Sequence, residues 1–299
     1  MSLPTASPTA ADTKVGSPMC DNQPMGETAI LPRLTPEQSA SWDRDGYHIM
    51  RGLVPADEVA ALIAAAMAQA ELGPVDGLWD ADYTTRFPVR DDPLTRYPRL
   101  LQLHRHPHLA LGALARQRLL HADAAAITEA LLGEPTLAAQ SMLYFKPPGA
   151  RGQALHQDNF YLSVMPGTCL AAWIALDRAD AASGGLAVVP GSHRLDLICP
   201  EAADMTQSFV ADRVPVPAGL VPVQLELDPG DVLFFNGQVI HGSTPNITRR
   251  SLICHYLPAR SRAIHDWYFP LLDFSGGEHR LESSSNGGPC GSPVLAAFH

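Results

Sequence analysis

The second half of the chain is a succession of short apolar runs, each separated from the next by a turn rich in proline or glycine. Runs of this length, with β-branched and aromatic residues, are typical of strands and are too short for most helices. About eight such strands in series indicate an antiparallel sandwich or jelly roll. We predict strands at residues 136–146, 154–164, 169–176, 186–189, 221–227, 231–235, 240–243 and 249–257.

Helices are predicted mainly before this β region. Thr35 is a cap residue, followed at once by a proline and three positions later by Gln38, and this combination starts a helix that Gly46 would end. A strand over 47–53 should follow. We then predict a helix from Pro55 to about residue 71 and one or two helices over 108–133.

The composition along the chain suggests one catalytic domain with a loose segment at each end. Residues 1–30 are rich in proline, serine, threonine and alanine without apolar periodicity, which predicts a disordered tail. The domain should span residues 31–265, with a helical part over 31–135 and a jelly-roll core over 136–260. Residues 266–299 are rich in glycine, serine and asparagine and are expected to form a loose C-terminal segment.

His156 and Asp158 lie two positions apart in an apolar and aromatic stretch. In a strand, alternate side chains point to the same face, so this imidazole and this carboxylate should project together. His241 ends a later strand-turn-strand pattern and supplies a second imidazole. Two histidines and one carboxylate on one side of a metal form the facial triad of non-haem Fe(II) oxygenases. We therefore predict His156, Asp158 and His241 as metal ligands and catalytic residues.

Cationic side chains near this triad could bind an anionic cosubstrate. Arg249 lies on the strand after His241, and a guanidinium can form a bidentate pair with a carboxylate. Arg250 stays an alternative, because a bulge could turn either arginine inward. Lys146 is the sole lysine of the predicted folded region, and it is either an ammonium that meets an anion or a surface lysine.

Several further motifs occur in a fixed order around these residues. With them, the chain between residues 34 and 258 resembles the phytanoyl-CoA dioxygenase family of Fe(II)- and 2-oxoglutarate-dependent oxygenases. The matching motifs are SMLYFKPPG (141–149), HQD (156–158), AWIALD (172–177), SGG (183–185), VPGSHR (189–194), HGS (241–243) and NITR (246–249).

The resemblance implies a double-stranded β-helix of the cupin-like type, with Fe(II), 2-oxoglutarate and O2 as the reacting partners. It implies that Arg249 anchors 2-oxoglutarate and that Trp173 and Ser243 line its pocket, and we expect Lys146 to contribute there. The expected reaction is hydroxylation of an unactivated C–H bond in a small polar or anionic metabolite, with release of succinate and CO2. Desaturation or ring formation, a cupin-type metalloenzyme without 2-oxoglutarate, and a non-enzymatic binding protein are the alternatives.

The overall charge and the cysteine pattern limit which partners and which cell compartment we expect for this protein. A formal charge of −10 argues against non-specific nucleic-acid binding, and no apolar run reaches the ~18 to 20 residues of a membrane span. No secretory signal is visible. The five cysteines are widely spaced and form no CxxC pair, which suggests reduced thiols and a cytoplasmic enzyme. We expect the protein to be a monomer or a homodimer.

Two loop regions could contribute to substrate binding. The segment 73–107 has an excess of arginines, which are either surface residues paired with acids or ligands for an anionic substrate. Three histidines at alternating positions near the end of this segment lack a carboxylate partner, so we expect them to face solvent rather than a metal. The connection 195–218 should be irregular and close to the substrate entrance. The arginines are Arg86, Arg90, Arg96, Arg99 and Arg105, and the histidines are His104, His106 and His108.

Overall fold

The structure is a computed structural model that describes residues 34–79, 97–245 and 249–284. The predicted tail 1–30, residues 285–299 and the arginines Arg86, Arg90 and Arg96 lie outside these residues. The helices of the described part are α1 (Pro36–Asp45), α2 (Ala56–Leu72), α3 (Ala110–Leu119), α4 (Ala122–Leu132) and the single turn α5 (Asn159–Leu162).

The strands of the described residues form four sheets. They are β1 (Tyr47–Met50), β2 (Leu100–Leu101), β3 (Thr136–Tyr144), β4 (Gln153–His156), β5 (Leu170–Ala175), β6 (Leu186–Val188), β7 (Glu201–Ala202), β8 (Asp212–Arg213), β9 (Val223–Gln224), β10 (Val232–Asn236), β11 (His241–Ser243), β12 (Ser251–Pro258), β13 (Ala263–Ile264), β14 (Leu271–Leu272), β15 (Glu278–His279) and β16 (Glu282–Ser283).

Two antiparallel sheets make up the core. The large sheet has the order β1-β10-β5-β12-β3-β14-β15, with β2 also paired to β3, and the small sheet has the order β4-β11-β6-β9. Apolar side chains from both sheets, such as Trp173 and Phe235 from the large one and Val188 from the small one, form one buried cluster. The prediction of a mainly β protein with flanking helices is confirmed.

Helices cover one face of the large sheet. Leu62 of α2, Leu119 of α3 and Ile127 of α4 are fully buried in one cluster with Leu143 and Phe234 of the sheet. Helix α1 begins with the capping box that the sequence predicts, since the Thr35 hydroxyl accepts from the backbone N–H of Gln38 and the Gln38 side chain accepts from the N–H of Thr35. These helices leave the other face of the sheet free for the small sheet.

The predicted strand 154–164 is wrong beyond its third residue. β4 ends at His156, and the chain turns into α5 at Asp158, which has helical dihedral angles. The Asn159 side chain explains the turn, because its Oδ1 accepts from the backbone N–H groups of Val164 (3.1 Å) and Cys169 (3.3 Å). An asparagine that bonds the local backbone offers an alternative to strand pairing.

The expectation of a loose segment from residue 266 is wrong as far as Ser284. Tyr268 and Leu271 are fully buried, and Leu272 pairs with Ala138 of the large sheet. The aromatic residues of 267–269 and Leu271 pack into an apolar cluster with Leu137 and Leu257. That burial outweighs the polar composition of the following residues, which alone suggested a tail.

The expectation that the cysteines are reduced thiols is wrong in part. Cys169 and Cys254 are buried free thiols, whereas Cys199 takes part in a disulfide bond. Linear spacing does not show which cysteines are close in space, so the reduced-thiol prediction is wrong for Cys199. A cytoplasmic location therefore stays a prediction. None of the described helices combines the length and apolarity that a membrane crossing needs.

Asp231 joins the turn after β1 to the start of β10. Its side chain is only 5% exposed and accepts three hydrogen bonds, from Arg51 Nη1 (2.6 Å) and from the backbone N–H groups of Gly52 (2.8 Å) and Asp228 (2.9 Å). Burial alone would raise the pKa of this carboxyl, but the three donors outweigh it and lower the pKa. The ionised carboxylate therefore stabilises the turn.

We expect Asp231→Ala to lower the free energy of unfolding by about 2 to 3 kcal/mol, because it leaves two backbone donors without their acceptor. Urea unfolding of the purified protein measures this change. Asp228→Ala is the matched control, since its carboxylate is 65% exposed and pairs with Arg178 at the surface; it should cost no more than about 0.5 kcal/mol. Equal shifts in the two variants would contradict the assigned role.

Candidate active site

The structure brings His156, Asp158 and His241 together at one point between the sheets. His156 and His241 are direct partners across β4 and β11, with ring centroids 4.1 Å apart. Asp158 Oδ1 lies 3.4 Å from His156 Nε2 and 3.3 Å from His241 Nε2. The three candidate ligand atoms lie within 4.8 Å of one another, and all three residues are buried. These three residues can hold one metal ion.

Backbone carbonyls orient both imidazoles. Nδ1 of His156 lies 2.8 Å from the carbonyl oxygen of Ala154, and Nδ1 of His241 lies 3.0 Å from that of Val239. A carbonyl only accepts, so Nδ1 carries the hydrogen in each ring and Nε2 carries the lone pair that faces Asp158. Two imidazole nitrogens and one carboxylate oxygen are a donor set that suits Fe(II).

The electrostatics of the triad favour positive charge at its centre. Burial lowers the pKa of His156, and the neighbouring His241 lowers it further. Burial also acts to lower the pKa of His241, but the Asp158 carboxylate outweighs it and the pKa is raised. The Oδ1 atom of Asp158 faces both rings. A divalent cation at this point would be stabilised by the same carboxylate.

Two buried cations lie in the cavity beside the triad. The Arg249 guanidinium is packed 4.8 Å above the Trp173 ring, and its backbone N–H donates to the carbonyl of Lys146 (3.0 Å). Lys146 Nζ donates to the Ser243 hydroxyl at 2.9 Å. Burial lowers the pKa of Arg249 to about 10, and burial and then Arg249 lower the pKa of Lys146. All four residues line the cavity that holds the triad.

Arg250 has a different environment. Its guanidinium forms a two-pronged pair with Asp177, at 2.7 Å to each carboxylate oxygen, and its backbone N–H donates to the same group at 2.8 Å. Arg250 is absent from the described lining of the triad cavity, whereas Arg249 belongs to it. This placement favours Arg249 over Arg250 as the residue that binds the cosubstrate. The alternative that Lys146 is a surface residue is wrong, because only 1% of it is exposed.

Sequence reasoning missed two polar neighbours of the ligands. His255 Nε2 lies 3.1 Å from Asp158 Oδ2, and Gln153 Nε2 lies 3.1 Å from His156 Nε2. The Gln153 carbonyl oxygen accepts from the Tyr144 hydroxyl at 3.2 Å. Strand alternation could have found His255, because residues 249, 253 and 255 of the same strand region all line the cavity. Nothing in the sequence singles out Gln153.

The other predicted polar segments have mixed outcomes. His104 is buried rather than solvent-facing, with Nδ1 2.9 Å from the Ser141 hydroxyl, and burial first, then nearby cations, lower its pKa to about 3. Arg99 is also buried, with its guanidinium 5.3 Å from the Phe209 ring centroid. Among the described residues, the one group of candidate metal ligands with converging donor atoms is the triad.

The sequence of this chain matches a known protein family. A sequence profile described as phytanoyl-CoA dioxygenase (PhyH) matches residues 42–252. Phytanoyl-CoA dioxygenase 1 of Oryza sativa subsp. japonica is 34% identical over 122 residues, which cover 40% of this chain and 43% of the relative. Methylphosphonate hydroxylase of Gimesia maris is 30% identical over 201 residues, with 62% and 72% covered. The chain spans 43%, 46% and 40% of three phytanoyl-CoA dioxygenase relatives, so less than half of their length.

Solved structures share the fold. The crystal structure of EctD from S. alaskensis in its apoform is 26% identical and superposes with a TM-score of 0.56, covering 77% of this chain and 79% of the other. EctD has also been crystallised with 2-oxoglutarate and 5-hydroxyectoine. These neighbours confirm the predicted double-stranded β-helix core. With its profile match over most of the described region, the chain belongs to the phytanoyl-CoA dioxygenase family.

Proposed function

We propose that this protein is an Fe(II)- and 2-oxoglutarate-dependent oxygenase that hydroxylates a C–H bond of a small polar or anionic metabolite, with release of succinate and CO2. The observation that carries the proposal is the buried triad of His156, Asp158 and His241 beside the buried guanidinium of Arg249. Family membership supports the same reaction class. Fold alone does not determine the substrate.

His156 Nε2, His241 Nε2 and Asp158 Oδ1 would hold the iron, because these atoms converge and their rings are fixed by backbone carbonyls. Bound iron supplies activation of O2 coupled to oxidative decarboxylation of 2-oxoglutarate. The protein provides three ligands from one side, so positions on the other side stay available to molecules from solution. Burial of the triad excludes bulk water from this centre.

Arg249 would bind the carboxylate of 2-oxoglutarate that is distant from the metal. A guanidinium binds a carboxylate through two parallel hydrogen bonds, and packing on Trp173 fixes its plane. Lys146 adds a second basic side chain, and its bond to Ser243 directs the amine towards the small sheet. An anion with carboxylates at both ends would suit a cavity that is lined by the triad and by Arg249 and Lys146.

The substrate would approach through a narrow cleft on the other side of His156. This imidazole lines both the triad cavity and the cleft, whose walls include Phe160 and Tyr161 of α5 and Asp212 and Arg213 of β8. Strand β8 belongs to the connection 195–218, for which the sequence analysis predicts a place near the substrate entrance. Relatives named methylphosphonate hydroxylase and ectoine dioxygenase support a small metabolite as the substrate class.

An anaerobic titration with Fe(II) and 2-oxoglutarate tests the proposal directly. We expect a visible metal-to-cosubstrate charge-transfer absorption, and on admission of O2 the consumption of 2-oxoglutarate with formation of succinate. A panel of small polar metabolites should then identify a substrate that accelerates succinate formation. Metal binding without 2-oxoglutarate consumption would indicate a cupin-type enzyme instead. Absence of metal binding would indicate a non-enzymatic protein.

A further inference from the structure

The two oxygens of the Asp158 carboxylate have different neighbours. Oδ1 faces the Nε2 atoms of His156 and His241, whereas Oδ2 lies 3.1 Å from Nε2 of His255. The side chains of Asp158 and His255 are 1% and 0% exposed, so water does not compete for this contact. An ionised carboxylate only accepts, and Nε2 of His255 is therefore the donor.

We propose that His255 is a positioning residue that keeps Asp158 bound to the metal through one oxygen only. The inference rests on the proposed metal centre and adds a residue to it. A free carboxylate can chelate a metal with both oxygens. A donor held on Oδ2 takes one of its lone pairs and ties this oxygen to His255, so that Oδ1 alone faces the two candidate histidine ligands. The position that a second oxygen would take then stays available to a molecule from solution.

The strand fixes the place of His255. β12 is hydrogen-bonded on both sides, and His255 is paired with Gln140 of β3 and with Ala171 of β5. The register between β12 and β3 shifts between His255 and Tyr256, and such a bulge re-aims the side chains beside it. The next residue, Tyr256, points away and donates to the carbonyl of Leu119 at 2.9 Å.

The same contact joins the two sheets across the core. Asp158 follows β4 of the small sheet, and His255 lies in the large sheet. Outer-shell partners of metal ligands orient those ligands and tune the metal, which goes beyond satisfying a buried polar group. A purely structural role would change stability alone. A positioning role would also change how tightly and with which geometry the metal is bound.

Co(II) binding to the whole protein, without cosubstrate, separates these roles. Calorimetry gives the affinity, and the visible absorption of bound Co(II) reports its coordination number. We expect His255→Phe, which keeps a ring but removes the donor, to weaken Co(II) binding about 10- to 100-fold and to change the spectrum. His255→Gln restores a side-chain N–H donor and should return both readouts towards those of the unsubstituted protein.

Tyr256→Phe is the matched control, because it breaks a buried hydrogen bond on the same strand but on the other face. It should lower the unfolding midpoint and leave Co(II) affinity and spectrum unchanged. If His255→Phe does not fold, His255→Met serves as the donor-free variant. Unchanged Co(II) affinity and spectrum in a folded donor-free variant, or no recovery in His255→Gln, would overturn the positioning role. Failure of the unsubstituted protein to bind Co(II) would overturn the metal centre itself, and with it this inference.

Discussion

Replacing His156 or His241 with alanine is expected to abolish Fe(II) binding and turnover. Each variant removes one of three candidate ligands, and the two that remain do not complete the three-ligand face that holds the ion. Loss of an outer-shell partner already weakens metal binding about 10- to 100-fold, so loss of a direct ligand should exceed that range. Calorimetric titration with Fe(II) under anaerobic conditions measures the affinity, and succinate formation measures the turnover.

The control for these variants is His104→Ala. His104 is another buried histidine, but its ring bonds the Ser141 hydroxyl and does not belong to the triad. We expect this variant to lose stability and to keep metal affinity. Retention of 2-oxoglutarate-dependent activity in His156→Ala or His241→Ala would refute the ligand assignment.

The second large effect is expected at Arg249. Arg249→Ala would leave a buried carboxylate of 2-oxoglutarate without its partner, at a cost on the order of 3 kcal/mol, which is about a hundredfold in affinity. Metal affinity in the absence of 2-oxoglutarate should stay unchanged, because Arg249 makes no contact with the triad among the described contacts. Titration of the Fe(II) protein with 2-oxoglutarate, followed by its visible absorption, measures the loss.

Arg250→Ala is the control, since it removes the same kind of side chain one position later. Arg250 is paired with Asp177 and does not belong to the described lining of the triad cavity, so its loss should affect stability and not 2-oxoglutarate affinity. Arg249→Lys keeps the charge but not the bidentate geometry, and it should recover only part of the affinity. If the hundredfold loss appeared in Arg250→Ala rather than Arg249→Ala, the assignment would be off by one residue.

The sequence predicts which residues converge at the candidate site better than it predicts the local backbone around them. His156 and Asp158 lie close together as predicted, but not for the predicted reason. Asp158 follows the end of a strand and lies in a helical turn. The turn depends on hydrogen bonds from the backbone N–H groups of Val164 and Cys169 to the Asn159 side chain. The spacing of apolar residues along the sequence does not indicate these bonds. Residue types two positions apart can therefore converge in more than one backbone conformation.

Other features depend on contacts between distant parts of the chain. The helix start at Thr35 is predictable, because its cap uses residues within one turn. The burial of Tyr268 and Leu271 is not, since it requires an apolar cluster built by β3, α5 and β12. His104 is buried for a similar reason, as its partner Ser141 lies on the neighbouring strand.

The candidate site draws on both sheets. His156 and His241 lie on the small sheet and Asp158 follows it, whereas Trp173 and His255 belong to the large sheet and Arg249 precedes β12 of that sheet. The spacing of the sheets would therefore set the position of a bound iron relative to its cosubstrate. Phe160 and Tyr161 of α5 and Asp212 and Arg213 of β8 form walls of the cleft beside His156, and these two elements lie outside both sheets. During divergence within the family, those walls can change to accept new metabolites while the oxygen-activating machinery keeps its geometry.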